Sequence, residues 1–243
     1  MIPRLRDNLA DVRERMARAC ARAGRAPDAV RLVAVTKSVD TPTARALSDL
    51  GAGELGESRA QVLARRRTEW PAGVRAPRWH FLGHLQRNKA RAVVRDVDEI
   101  HSLDSLRLCE ALADAARAEA RTPAVWIELD LVGADARTGL TPKALPELVE
   151  RAGAAPELRL QGLMTLAPVP RGDERDAARA RAVFEELAAL AADLDPAPFE
   201  GGRARLSMGM SSDFEAAIEA GSDLVRVGSA LFEGLAPTAG GRA

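Results

Sequence analysis

The sequence predicts a single-domain α/β fold, a (β/α)8 TIM-type barrel with one additional N-terminal helix ahead of its first strand. Three observations predict it: eight short apolar runs recur through the 243 residues, a stretch of helical periodicity separates each from the next, and no Pro/Ser-rich linker divides the chain. Parallel strands joined by helices have both faces covered, and eight such repeats can close the sheet on itself. A doubly wound open sheet is the competing architecture, because the second run is short.

Leu5, Leu9, Val12, Met16 and Ala19 recur at helical spacing and predict an amphipathic first helix, which stops before GRAPDA at 24–29. The expected strands are RLVAVT at 31–36, ELGE at 54–57, WHFLG at 79–83 and EIHSLD at 99–104. The second half adds AVWIELDLV at 124–132, LRLQGLMTL at 158–166, ARLSMG at 204–209 and LVRVGS at 224–229. Stretches such as DSLRLCEALADAARAEA and RDAARARAVFEELAALAADL carry the helical period between them. The end of the chain, LAPTAGGRA, has little to bury, so the domain is expected over 1–234 with a flexible tail over 235–243.

Composition narrows the functional classes. Basic and acidic residues number 35 each, and the zero net charge argues against neutralising a nucleic-acid backbone, which takes clustered surplus cations. All but three of the basic residues are arginine, mostly interleaved with acids on helical patterns, as on solvated faces. Cys20 and Cys109 form neither a disulfide nor a zinc spacing, which fits a reducing cytoplasm. The charged opening is unlike a signal peptide, and no apolar run is long enough to span a bilayer.

In a barrel, functional groups belong at the C-terminal ends of strands. Lys37 stands one residue beyond the first strand; it is either a nucleophilic amine or a solvated strand-end charge, and the strand alone does not decide. The seventh and eighth strands run into LSMGMSSDFEAAIEAG and RVGSALFEG. There Ser207, Gly209, Ser211, Gly228 and Ser229 form small-residue turns whose free N–H groups and hydroxyls could face an anion. Helix capping by Ser211 or Ser212, with Glu215 near the box position, is the plainer reading. Barrels often hold phosphate after strands seven and eight, and strand eight closes against strand one. A molecule with an aldehyde at one end and a phosphate at the other would bridge these turns and Lys37; pyridoxal 5'-phosphate has that shape.

LVAVTK, WHFLGHLQRNKAR, GLMTL and LSMGMSSDFEAAIEAGSDLVRVGSALFEG together resemble the pyridoxal phosphate homeostasis proteins, single-domain relatives of the barrel domain of alanine racemase; the resemblance spans about residues 31 to 234. It implies a Schiff base between Lys37 and the cofactor, a phosphate held by Ser207, Gly209 and the backbone around Gly228 and Ser229, and Arg226 with Met208 in or beside the pocket. An arginine near the pyridine nitrogen would weaken the ring as an electron sink, which suits binding better than carbanion chemistry. Ser58 stands where the family's G-E-N segment has asparagine, His84 where proline is usual, Arg87 where a small polar residue is common and Arg137 where lysine is frequent. His80, at alternating strand spacing, is expected as a hydrogen-bonded residue beneath the cofactor.

Other patterns are set aside. GAGELG at 51–56 satisfies the dinucleotide spacing but follows a helix and leads into a strand, the wrong context, so it reads as a helix end and turn. His80 and His84 straddle a strand end without an acidic partner, so no metal site is expected. HLQRNKARAVVRDV has Asp96 and Asp98 close behind it and reads as a solvated face, while Gln86, Asn88 and Lys89 have no derivable purpose. The related racemases use a tyrosine from a second domain as their second acid-base group. This sequence contains no tyrosine. Buffering or delivery of the cofactor, with pyridoxal-phosphate-requiring apo-enzymes as partners and a monomer or weak dimer as the assembly, is therefore favoured over a racemase or decarboxylase.

Overall fold

The computed structural model describes residues 1–133, 139–168, 172 and 175–235. Its strands are β1 (Arg31–Val35), β2 (Glu54–Glu57), β3 (Arg78–Phe81), β4 (Glu99–Leu103), β5 (Ala124–Leu129), β6 (Arg159–Thr165), β7 (Arg205–Ser207) and β8 (Leu224–Val227). They form one closed parallel barrel in sequence order. Closure comes from β8 against β1, with Arg31 opposite Leu224 and Ala34 opposite Val227. The short ELGE run is a full member, paired from Glu54 to Glu57 along β3. The open-sheet alternative is thereby excluded.

Helix α1 (Ile2–Arg22) precedes the barrel, and α2 (Thr41–Asp49), α3 (Ala60–Glu69), α4 (Ala90–Asp96), α5 (Leu106–Ala118), α6 (Leu145–Gly153), α7 (Asp176–Ala192) and α8 (Phe214–Glu219) connect the strands. Among the described residues, only a 3₁₀ turn follows β8, Ser229–Phe232. The additional helix fills that gap in the ring: α1 packs on α8, on α2 and on this turn. Its buried stripe is Leu5, Leu9, Val12, Met16, Ala19 and Cys20. On its rim, Arg15 pairs with Glu215 and Arg22 with Glu219, both at 2.7 Å.

Strand pleating separates two interiors. Outward residues such as Ala34, Leu55, Trp79, Phe81, Ile100, Val125, Ile127, Leu163, Leu206, Met208, Val225 and Val227 join the helices in one large apolar layer. The inner apolar cluster is small: Val33, Trp126, Met164 and Leu224, with the partly buried Leu82 and Leu166 packed against it. Polar side chains share the inside with it, for Glu99, His80, His101, Ser207 and Arg226 are all buried. Branched apolar residues usually dominate such interiors, so this polar content calls for a hydrogen-bond accounting.

Where GAGELG lies, α2 ends at Asp49, Gly51 adopts φ 98° and β2 begins at Glu54, so the stretch is a helix end and turn. Leu235 packs against the core, while the rest of the expected tail, 236–243, lies outside the described residues. Among the described residues no helix is long and apolar enough to cross a membrane.

Candidate functional site

Lys37 sits just past β1. Val33 faces the barrel interior, and with a period of two Val35 and Lys37 continue its row beyond the strand. Thr36, of opposite parity, is fully buried. Its N–H donates to the Gly56 carbonyl at 2.9 Å and its hydroxyl to Glu57 Oε1 at 2.5 Å. Val39 N–H donates to the Thr36 carbonyl at 3.0 Å, closing a tight turn over 36–39. Asp40 then starts α2 by accepting from Thr43 N–H at 2.9 Å, a cap worth about 0.5–2 kcal/mol. Between these fixed ends Lys37 itself is exposed. It is a solvent-exposed amine at the barrel mouth.

Beside it, Gly228 follows β8. A Cβ built there would lie 3.3 Å from the Val35 carbonyl oxygen, so the β8 loop approaches the end of β1 closely. Ser211 Oγ accepts from Gly228 N–H at 3.1 Å and from Ala230 N–H at 3.3 Å. Two amides and a hydroxyl thus converge between the loops after β7 and β8. Ser211 does not cap α8, whose N-cap position is Asp213. Gly209 makes the loop possible: its φ is 98°, and a Cβ would stand 2.6 Å from Ala217 Cβ and 2.9 Å from Phe214 Cα.

Beneath this mouth lies a polar chain. Arg226 donates from Nη1 to Ser207 Oγ at 2.6 Å and from Nη2 to the Thr165 carbonyl at 2.8 Å. Burial pulls its guanidinium down to about 10. His101 Nδ1 lies 3.0 Å from Ser207 Oγ, and its Nε2 3.0 Å from His80 Nδ1. His80 Nε2 in turn lies 3.1 Å from Glu54 Oε2. His80 Nε2 thus faces a carboxylate at one end of the chain, and the Ser207 hydroxyl ends the other. Burial, reinforced by the neighbouring His80, holds His101 well below the ordinary histidine range, consistent with a neutral ring.

His80, Glu99 and His101 also bring ligand atoms within 4.8 Å of one another. These atoms are already engaged. Glu99 Oε1 accepts from Arg31 at 2.5 Å and Arg78 at 2.8 Å, and Oε2 from Trp126 Nε1 at 2.9 Å. Burial pushes Glu99 upward, but His80 and Arg31 outweigh it and leave its carboxyl well below the usual range. The two guanidiniums supply the positive charge that a metal ion would, so the cluster is polar packing. His84 does not join it; it is exposed, 3.4 Å from Asp104.

The model of the alanine racemase N-terminal domain matches residues 5–236. The chain is similar to the pyridoxal phosphate homeostasis protein of Escherichia coli K12, 35% identical over 230 residues, covering 93% of this chain and 94% of that protein. The protein of that name in Deinococcus radiodurans is 40% identical over 226 residues, covering 92% and 97%. The chain belongs to the pyridoxal phosphate homeostasis protein family. The structure of PipY from Synechococcus elongatus with pyridoxal phosphate bound superposes with a TM-score of 0.80 at 30% identity, covering 94% of this chain and 99% of that one.

Residues that the family resemblance singled out fall into three places. Lys37, Gly228 and Ser229 lie at the mouth, where Ser229 is exposed, with Ser58 nearby at the end of β2. Ser58 is half-buried against Gly83, whose missing Cβ would meet the Ser58 carbonyl at 2.0 Å. Ser207, Arg226 and His80 lie inside the barrel, with the Ser207 hydroxyl engaged by Arg226 and His101 and His80 beneath them. Met208 points its side chain outward into the helix-facing core, because it follows the inward Ser207 by one residue, and only its backbone is near the β7 loop. Arg137 lies outside the described residues. His101 and the Thr165 carbonyl are brought to the site without having been singled out, whereas Ser211 was read as part of an anion-facing turn but not among the residues that the resemblance implies. The alternation from Glu99 to His101 within EIHSLD was the available signal for one of them.

Proposed function

We propose that this chain holds pyridoxal 5'-phosphate covalently on Lys37 and serves cytoplasmic cofactor homeostasis as a carrier, buffering the cofactor or delivering it to apo-enzymes. The observation that carries the reading is the adjacency, at one mouth, of the Lys37 turn and the Ser211–Gly228–Ala230 convergence, joined by the close approach of Gly228 to Val35. The donor set fits the group: an accessible amine for the aldehyde, two backbone amides now donating to the Ser211 hydroxyl, whose place as acceptor a phosphate oxygen would take, and partly buried Leu82 and Leu166 beside the inner cluster for the ring. Arg226, fixed by Ser207 and Thr165, is the cation available to the ring nitrogen. When bound, the cofactor supplies an electron-withdrawing ring, and this chain's residues bind and orient it.

In this reading the phosphate falls to Ser211, Gly228, Ser229 and Ala230, with Gly209 shaping the loop. Ser207 and His80 support Arg226 from below, and Met208 contributes only backbone. Ser58 borders the cofactor with a short hydroxyl that makes no hydrogen bond among the described residues.

The PipY complex with pyridoxal phosphate supports the cofactor, and the homeostasis proteins of E. coli and D. radiodurans support the role. Catalytic turnover is disfavoured by the lack of any tyrosine. Neither substitute is available: His101 is enclosed beneath Arg226, and burial pushes the Cys109 thiol up to about 11 in the helix-facing core. Borohydride reduction followed by peptide mapping tests the site, with the label expected on Lys37. Transfer of cofactor from the purified protein to an apo-aminotransferase tests the role; steady turnover of an amino acid, lost in Lys37→Ala, would reverse the order of the two readings.

A further inference from the structure

Behind the Lys37 turn lies a charged pair that the cofactor site does not use; its acid, Glu57, is the middle residue of the family's G-E-N segment, and the resemblance gives it no role. Glu57 closes β2 and Arg66 lies on α3, and both side chains are 0% exposed. Arg66 Nε stands 2.8 Å from Glu57 Oε1. Arg66 Nη2 donates to two carbonyls, Thr36 at 3.0 Å and Val39 at 2.6 Å. Those carbonyls bracket Lys37 and Ser38. Glu57 Oε1 also accepts from the Thr36 hydroxyl at 2.5 Å. One buried pair therefore grips the turn at both ends, while the turn's own bond from Val39 N–H to the Thr36 carbonyl closes it from within.

The pair is poorly placed to serve stability alone. Glu57 Oε2 and Arg66 Nη1 are buried and find no hydrogen-bond partner among the described residues. Burial drives Glu57 upward and Arg66 downward, each against the pull of the other. A buried pair with unsatisfied atoms adds little net stability over an apolar replacement, and its best-attested use is to fix one arrangement. The arrangement fixed here is the backbone on either side of Lys37.

We propose that Glu57 and Arg66 are positioning residues that hold the Lys37 amine on the line of approach of a phosphate-anchored aldehyde. The proposal rests on the cofactor reading above. An amine on a long, exposed side chain has many rotamers, and only a fixed Cα makes a useful share of them reach one point at the mouth. Arg66 acts through the carbonyls, not on the ligand. It is separate from the anion donors Ser211, Gly228 and Ala230.

The test compares wild type with Glu57→Leu/Arg66→Met, with Arg66→Lys and with Thr36→Val. Three readouts are taken: the rate of Lys37 modification by pyridoxal phosphate under borohydride, its rate with a small acylating reagent that needs no anchoring, and hydrogen exchange at the Val39 amide without ligand. In the double variant the ratio of the first rate to the second is expected to fall roughly 10- to 100-fold, with faster exchange at Val39 and cooperative unfolding retained. Thr36→Val, which leaves the ion pair in place, covers the case in which the double variant does not fold; it is expected to lower the ratio by a smaller factor. Arg66→Lys, which keeps the charge and part of the donor set, is expected to be intermediate. A folded double variant with wild-type ratio and wild-type exchange would overturn the proposal, as would a wild-type ratio in Thr36→Val where only that variant folds. Absence of a Lys37 label in wild type would instead overturn the cofactor reading, and the exchange result would then decide whether the pair orders the turn.

Discussion

At the scale of single residues, the site divides into groups that touch solvent and groups that cannot. Lys37 is exposed, so Lys37→Ala is expected to change stability by less than about 0.5 kcal/mol. It is also expected to remove the borohydride-fixed label entirely, with denaturant unfolding and peptide mapping as the paired measurements. Gly209 is the opposite case. With φ at 98° and Ala217 Cβ 2.6 Å from where a methyl would go, Gly209→Ala combines backbone strain with overpacking and is expected to cost about 2–4 kcal/mol, read as a lowered urea midpoint at unchanged m-value. The place of Lys37 at the barrel mouth, though not its role, was legible in the sequence because one residue after an apolar run is a strand end. The division of labour between Ser207 and Ser211 was not: both are serines in one small-residue turn, and only strand parity up to Ser207 and the fold of the loop beyond it separate an interior hydroxyl from one at the mouth.

At the scale of elements, the pleat of β4 sends Glu99 and His101 into the barrel, and both resist protonation in the folded state. In the unfolded chain His101 takes a proton near the ordinary histidine value of 6.5 and Glu99 near the ordinary carboxyl value of 4.5. The unfolded state therefore binds more protons as pH falls, and stability drops on acidification, first below 6.5 and again below 4.5. His101→Gln, which keeps a polar side chain beside Ser207 without the titrating ring, is expected to flatten the upper part of that decline and leave the lower part. Thermal midpoints between pH 7 and 4 would show it; an unchanged slope below 6.5 would mean that His101 carries a proton in the fold. Strand existence was readable throughout, even for ELGE, because each strand buries an outward residue against helices: Leu55 in that case. Less readable was what fills the inside, since Glu99, His101 and Arg226 look like solvated charges until the barrel closes around them. The buried Arg66 was equally hidden in ARRRTE, where three adjacent arginines share one helical pattern and only one of them faces inward.

At the scale of the molecule, the ring of helices is completed by the chain's beginning instead of its end. Periodicity identified α1 as an amphipathic helix packed on something larger; that it occupies the eighth helical position is a consequence of β8 ending in the short Ser229–Phe232 turn. The same turn begins at the proposed phosphate loop, which ties the outermost helix to the site. Asn8 makes the tie: its Nδ2 donates to the Leu231 carbonyl at 3.1 Å and to the Glu233 carbonyl at 3.0 Å. Asn8→Ala removes both bonds at the barrel's rim and is expected to lower stability by only about 1 kcal/mol, since water can replace partly exposed partners. Leu9→Ala empties a buried position on the adjoining core-facing stripe of α1 and is expected to cost about 2–5 kcal/mol. If the 229–232 turn is held in register by α1, the cheaper substitution should nonetheless be the one that speeds loss of noncovalently held phosphate ligand, measured as the dissociation rate of pyridoxine phosphate, which lacks the aldehyde and so reports the anion loop without Lys37. Equal dissociation rates in Asn8→Ala and wild type, with Leu9→Ala faster in proportion to its lost stability, would show that α1 supports the barrel as a whole and not the loop.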